Sequence, residues 1–313
     1  MSNSNDSFKI DVSSGHIPVL LNETVQMLSP KDGGIYLDCT FGGGGHTTAI
    51  LSSANCKVVS LDRDPEAKER AKPIKERFGE RFEFVATNFS DLDKIGFSNF
   101  DGILFDFGVS SFQLDDGARG FSINKEAELD MRMNNAEGLN ALDFINTTDE
   151  YELACVLRDY GEEALYKKIA RAIITARNSG KISTTVDLAN VVKEAASNVR
   201  GHIHPATKTF QALRIKVNNE LEEIQIALPK AFEALKVCGV IAAISFHSLE
   251  DRIVKQFFKK MAGRPESRSD KSFLQDRVKL ATLLTTKPLI ATQQEINLNP
   301  RSRSAKLRGI KKD

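Results

Sequence analysis

With 313 residues, 41% of them hydrophobic and 27% charged, the chain is long enough to bury one large core or two smaller ones. Its longest apolar stretch, Val237 to Ile244, is far too short to cross a bilayer, and the opening MSNSNDSFKI lacks the basic-then-apolar order of a secretory signal. The expectation is a cytoplasmic protein with no membrane partner, and the net charge of +1 excludes a strongly basic or acidic class as a whole.

In chain order, short β-rich runs alternate with helical patterns from Gly34 to Val109: IYLDCTF, the helix HTTAIL, KVVSLD, a charged helix, FEFVAT and DGILFDFGV. Strands joined by crossover helices predict a parallel sheet covered on both faces. From Phe121 to Asn218 no strand pattern stands out. Thr147-x-x-Glu150 predicts a helix with Leu153, Val156, Leu157 and Tyr160 on one face. Leu165, Ile169 and Ile173 mark a second, and Thr185 opens a third through Leu188, Val191 and Val192. A longer helix is expected from Ala206 through Leu228, ending near Pro229. The sheet then resumes at VIAAIS, followed by a helix that Ser248-x-x-Asp251 would cap, and RPESRSDK from Arg264 to Lys271 reads as a mobile loop. The fold class expected is α/β, with residues 1–120 and 218–313 forming the sheet domain and 121–217 an inserted all-helical domain.

Charge is unevenly spread along the chain. Residues 1–150 carry 14 Lys+Arg against 25 Asp+Glu, net −11, whereas residues 151–313 carry 29 against 17, net +12. The second half is the expected contact for a polyanion, above all its tail with Arg301, Arg303, Lys306, Arg308, Lys311 and Lys312. Arg214 and Lys216 are further candidates for phosphate contact. Cys39, Cys56, Cys155 and Cys238 are widely separated and form no CxxC pair, so no metal site and no disulfide framework is expected.

The turn after the first strand is Phe41-Gly42-Gly43-Gly44-Gly45-His46, and a helix follows. Glycines there let a ligand approach the backbone, and the helix start presents unpaired amide donors. Asp62 ends the next strand, where an acid can accept hydrogen bonds from ribose hydroxyls. The dinucleotide template GxGxxG needs glycine at Thr47, and the phosphate-binding template GxxxxGK[ST] needs a lysine that is absent. A ligand with a methionine-like tail has no pyrophosphate to cradle, which favours S-adenosylmethionine over NAD. Asp106 ends the fourth strand, facing the ligand crevice. An aromatic amine is a poor nucleophile, and a fixed oxygen acceptor that holds its hydrogens aligns the nitrogen with a sulfonium methyl group. Cys39 lies inside the first strand and reads as core; His247 reads equally as a cleft residue or a helix cap.

The strings FGGGGH, LDRDP, DFGVSSFQLDDGARGFS, LDMRM, HPATKTFQALRIKVNNEL, ISFHSLEDRIVKQFF and NPRSRSAKLR resemble the ribosomal RNA small subunit methyltransferase H family, also called MraW, from His16 to Arg308. That resemblance implies a Rossmann-like class I methyltransferase sheet with an inserted helical domain. It implies methylation of the exocyclic N4 of a cytosine in the decoding region of 16S rRNA, with the small ribosomal subunit as partner; a homodimer is left open. By matching motif it places the cofactor at Gly44, Gly45, His46, Asp62, Phe89, Asp106 and Gln113, with Phe89 packing on the adenine and Asp106 also catalytic. Phe107 stands where the family commonly has Leu, and Phe112 where it commonly has Pro. A DNA amino-methyltransferase is disfavoured by the lack of an Asp/Asn-Pro-Pro-aromatic signature, and a non-catalytic RNA-binding protein by the presence of both Asp62 and Asp106.

Overall fold

A computed structural model describes residues 17–197, 204–267 and 277–313. They divide into two compact units, one within Met1–Gly108 and Leu221–Asp313, the other Val109–Glu220.

The chain enters the first unit through α1 (Leu21–Leu28), β1 (Ile35–Asp38), α2 (Gly45–Ser53), β2 (Lys57–Asp62), α3 (Ala67–Phe78), β3 (Phe82–Ala86) and β4 (Phe100–Asp106). Strand β1 is shorter than the run IYLDCTF suggests. The Asp38 carboxylate accepts the Thr40 N–H at 3.1 Å and turns the chain out of the ladder.

The second unit holds α4 (Ser111–Asp115), α5 (Ala141–Thr147), α6 (Glu150–Asp159), α7 (Tyr166–Asn178), α8 (Thr185–Ala195) and α9 (Thr207–Asn218). Among its described residues the only β pairing is an isolated bridge between Glu128 and Thr184. The helical periodicity read in the sequence is the core: Leu153, Val156, Leu157, Ile169, Ile173, Leu188 and Val192 are all buried in one cluster. The expected cap of α6 is corrected. Thr147 closes α5 and donates its hydroxyl to the Asp143 carbonyl, leaving Asp149 to accept the Glu152 N–H at 2.7 Å. The long segment before α5 is tied to α9 by Asn218, which accepts the Met133 N–H at 2.8 Å and donates to the Met131 carbonyl at 2.7 Å.

The single helix expected from Ala206 to Leu228 is two. Asn219, left-handed at φ 51°, breaks it between α9 and α10 (Glu220–Ala234), and Pro229 lies inside α10 without ending it. Then follow β5 (Leu235–Ser245), α11 (Ser248–Met261), β6 (Ala281–Leu283), β7 (Leu289–Ile290), α12 (Gln293–Leu298) and β8 (Lys306–Lys312). The cap of α11 is His247, whose Nδ1 faces the Glu250 N–H, and not Ser248; the histidine takes the capping alternative. The mobile-loop reading of Arg264 to Lys271 lies outside the described residues beyond Ser267.

The sheet order is β3-β2-β1-β4-β5-β8-β6, with β7 also on β8. The first five strands pair in parallel, and β8 runs antiparallel to its neighbours. Alternate side chains sort to opposite faces, as the two-residue period of a strand requires. Leu37, Val59, Ile103, Phe105 and Ile241 pack with α10 and α11; Tyr36, Val58, Leu104, Ala242 and Ile244 pack with residues of α1, α2 and α3. The order reverses between β1 and β4, so the carboxyl ends of β1, β2 and β4 open on a topological switch point, where ligands of such sheets bind. No helix of the described residues is long and apolar enough to cross a membrane.

Candidate active site

The glycine turn is built by the protein's own packing. Gly44 is left-handed at φ 73°, and a Cβ there would stand 2.3 Å from Ile74 Cδ1 and 2.7 Å from Phe41. At Gly45 the corresponding space is filled by Pro18, 2.3 Å from where a Cβ would be. Close contact inside the fold requires glycine at both positions. What the turn offers a ligand is the start of α2, whose N-cap Gly44 provides no side-chain cap for the first amides. An anionic group is favoured there by those donors and by the helix dipole.

Asp62, at the end of β2, holds the turn from the other side. Its Oδ2 accepts the Gly42 N–H at 2.8 Å and its Oδ1 the Asp64 N–H at 2.9 Å. Burial pushes its carboxyl up to about 6, against these two hydrogen bonds that favour the anion. Arg70 donates from Nε to the Gly42 carbonyl at 2.9 Å, a support that no spacing in the sequence announces. Below the turn lies Asp38, 1% exposed, accepting the Thr47 hydroxyl at 2.7 Å. Burial raises its pKa. Sequence reading passed over this acid, although a carboxylate ending an apolar strand is itself a signal.

Asp106 closes β4, its backbone N–H bonded to Thr40 Oγ1 at 2.7 Å. Its side chain is 24% exposed, and the Oδ2 atom lies 3.5 Å from Nε2 of the buried His46. Oδ1 is buried without a hydrogen-bond partner among the described residues, as are both ring nitrogens of His46. Phe89 follows β3 and is half-buried, edge-on to Phe105 at 5.9 Å and to Phe107 at 6.0 Å. Phe107 stacks on Phe105 at 5.3 Å and is 2% exposed, so its aromatic ring extends the core beneath Phe89. The Cys39 thiol is pushed well up by burial and is no nucleophile.

Gly44, Gly45, His46, Asp62, Phe89 and Asp106 therefore share the carboxyl end of the first unit's sheet. Gln113 belongs to the second unit. There Ser110 caps α4 by accepting the Gln113 N–H at 3.2 Å, and Gln113 Oε1 accepts the Ser110 N–H at 3.0 Å. This reciprocal pair sets the loop geometry with Phe112 in the place of proline.

Two expected phosphate contacts are engaged within the protein. Arg214 forms a bidentate pair with Glu220 at 2.7 and 2.9 Å, and Lys216 pairs with Glu152 at 3.1 Å. In the tail, Arg308 lies within β8 and forks onto Asp251 of α11 at 2.7 and 3.1 Å, so it too is corrected from a phosphate contact to an internal pair. Lys312 donates to the carbonyls of Phe232 and Leu235 at 2.8 and 2.7 Å. Arg303 is exposed.

A parallel sheet with an open helix start after its first strand, an acid after its second and an acid after its fourth defines a protein that binds a nucleotide-like ligand at its switch point. The sequence profile of the MraW methylase family matches residues 13–313, and the chain belongs to that family. The ribosomal RNA small subunit methyltransferase H of Rickettsia massiliae (strain Mtu5) is 48% identical over 300 residues, 95% of this chain and 97% of that protein. Its counterpart in Rickettsia prowazekii (strain Madrid E) is 47% identical over 307 residues, 96% of this chain and 99% of that protein. Among solved structures, an rRNA methylase from Streptococcus thermophilus aligns with a TM-score of 0.44 at 11% identity, over 95% of this chain and 98% of that one.

Proposed function

We propose that this chain is a cytoplasmic enzyme that methylates 16S rRNA from S-adenosylmethionine, the acceptor being the exocyclic N4 amine of a cytosine in the decoding region of the small subunit. Family membership supports the methyl transfer and the rRNA substrate. One observation carries the assignment of the chemistry to this site: Asp106 ends β4 with a carboxylate side chain that is 24% exposed at the carboxyl end of the sheet.

The residues fit the cofactor. The uncapped start of α2, with the amides of Gly45 and His46, suits a carboxylate. Asp62 is placed to accept ribose hydroxyls, and Phe89 offers a half-buried aromatic surface for the adenine. When bound, the cofactor supplies an electrophilic sulfonium methyl group. Asp106 then accepts the amino hydrogens of the base, orients the nitrogen lone pair and stabilises the positive charge that grows on nitrogen. The target base has to leave its stack to reach this carboxylate, which single-stranded RNA makes cheap.

The test is methyl transfer itself. Incubation with labelled S-adenosylmethionine and either small ribosomal subunits or naked rRNA, followed by mapping of the labelled nucleotide, should place the label on N4 of one cytosine. Label on another atom, or on DNA in preference to rRNA, would overturn the assignment. Calorimetry should show micromolar binding of the cofactor, on the order of 8 kcal/mol, and none of NAD.

A further inference from the structure

His46 contributes a backbone amide to the proposed cofactor site, yet its imidazole has a separate position. It is 6% exposed, and neither ring nitrogen has a hydrogen-bond partner among the described residues. A buried polar ring in that condition is costly unless a contact completes it. Asp106 Oδ2 lies 3.5 Å from Nε2, a separation at which a hydrogen bond is loose in a free enzyme and tightens when the site is filled. The opposite carboxylate oxygen, Oδ1, is the one left without a partner.

We propose that His46 is a positioning residue for Asp106. With its proton on Nε2, the imidazole donates to Oδ2 and fixes the rotation of the carboxylate that meets the amine. Among the described residues the other hydrogen bond of Asp106 is through its backbone, the N–H bond to Thr40 Oγ1, and that contact leaves the rotation of the carboxylate unfixed. Two further carboxylates act electrostatically on His46, Asp38 of β1 and Glu295 of α12. They disfavour a third anion nearby, so a donor on Nε2 also offsets the repulsion that Asp106 meets from Asp38. The proposal rests on Asp106 being the amine acceptor.

Three variants and one spectroscopic readout test it. His46→Leu is assayed at saturating S-adenosylmethionine, so that a change in cofactor affinity at this residue does not enter the rate. Its single-turnover methyl transfer at saturating cofactor should be about 100-fold slower, the size of effect expected from a misplaced reacting group. His46→Gln, whose side-chain amide can donate from nearly the same place, should recover most of that loss. Independently of turnover, ¹⁵N NMR of the free protein should show His46 protonated at Nε2, and Asp106→Asn should shift that resonance. A wild-type rate in His46→Leu, equal losses in the Leu and Gln variants, or a bare Nε2 that ignores Asp106→Asn would each overturn the role. If the wild-type enzyme binds cofactor but leaves rRNA unmethylated, the proposed substrate fails, while the NMR measurement still decides the His46 to Asp106 contact.

Discussion

Replacing Arg308 by Ala separates a structural arginine from an RNA-binding one. Arg308 and Asp251 are 8% and 7% exposed and joined by two hydrogen bonds, at 2.7 and 3.1 Å, between β8 and α11. Removing the guanidinium leaves a buried carboxylate whose other cation is Lys306, 4.0 Å away and 37% exposed. Breaking a buried pair from one side costs about 3 to 5 kcal/mol. Because Lys306 recovers part of this, the expected loss is about 3 kcal/mol, a fall in Tm of about 6 to 12 °C for a unit of this size. Thermal and urea unfolding measure it, with Asp251→Leu/Arg308→Met as the companion. Paired apolar replacement removes both charges, so the double variant should unfold within about 1 kcal/mol of wild type. Arg303→Ala, at an exposed site, should leave Tm unchanged. An Arg308→Ala protein as stable as wild type that had lost affinity for RNA would refute the assignment of Arg308 to the interior.

Asp106→Ala should slow methyl transfer about 100-fold or more at saturating cofactor, the usual loss for one preorganised polar contact; single-turnover rates check it. Asp62, whose carboxyl is raised from 3.8 to about 6 by burial, sets a pH dependence. A raised acid favours the folded state below 3.8, and that advantage is lost as pH rises through about 6, so ionised Asp62 is destabilising until a ligand donates to it. Ribose hydroxyls prefer the anion, so cofactor affinity measured by calorimetry should fall toward tenfold per unit as pH drops below about 6. An affinity constant flat from above that pH to well below it would remove Asp62 from the ribose site. Gly44→Ala should lose cofactor affinity and about 1 to 2 kcal/mol or more of stability, since a left-handed alanine is strained and its Cβ meets Ile74 at 2.3 Å; calorimetry and thermal unfolding on the same variant report both.

Much of this was legible in the sequence because it follows from periodicity and from strand ends. The short apolar runs in KVVSLD and DGILFDF, with Asp62 and Asp106 at the strand ends, are local information, and so is the helical spacing of Leu165, Ile169 and Ile173. What stayed hidden depends on partners distant in sequence. Nothing beside Gly45 says that Pro18 will fill its missing Cβ, nothing near Arg70 that it reaches the Gly42 carbonyl, and nothing around Asp251 that it meets Arg308, 57 residues away. Helix boundaries failed for a different reason. Thr147 and Asp149 both satisfy cap chemistry, and the choice was made by the Thr147 hydroxyl bonding back into α5.

The two folded units do not share the charge imbalance of the two halves of the chain. By halves of the chain the imbalance is −11 against +12. Residues 1–108, with 11 Lys+Arg against 16 Asp+Glu, fold into one unit with residues 221–313, which carry 18 against 10. That unit has a net charge of +3, and the second, with 14 against 16, has −2. Part of the basic tail is engaged by its own unit: Arg308 by Asp251, Lys312 by the carbonyls of Phe232 and Leu235. Attraction for RNA therefore cannot come from the net charge of either unit and must come from local clusters of exposed cations, since screening at physiological salt limits each charge to about 8 Å. Exposed Arg303 is such a cation, and the internal Arg308 five residues later is not, although the sequence writes both into the same basic string.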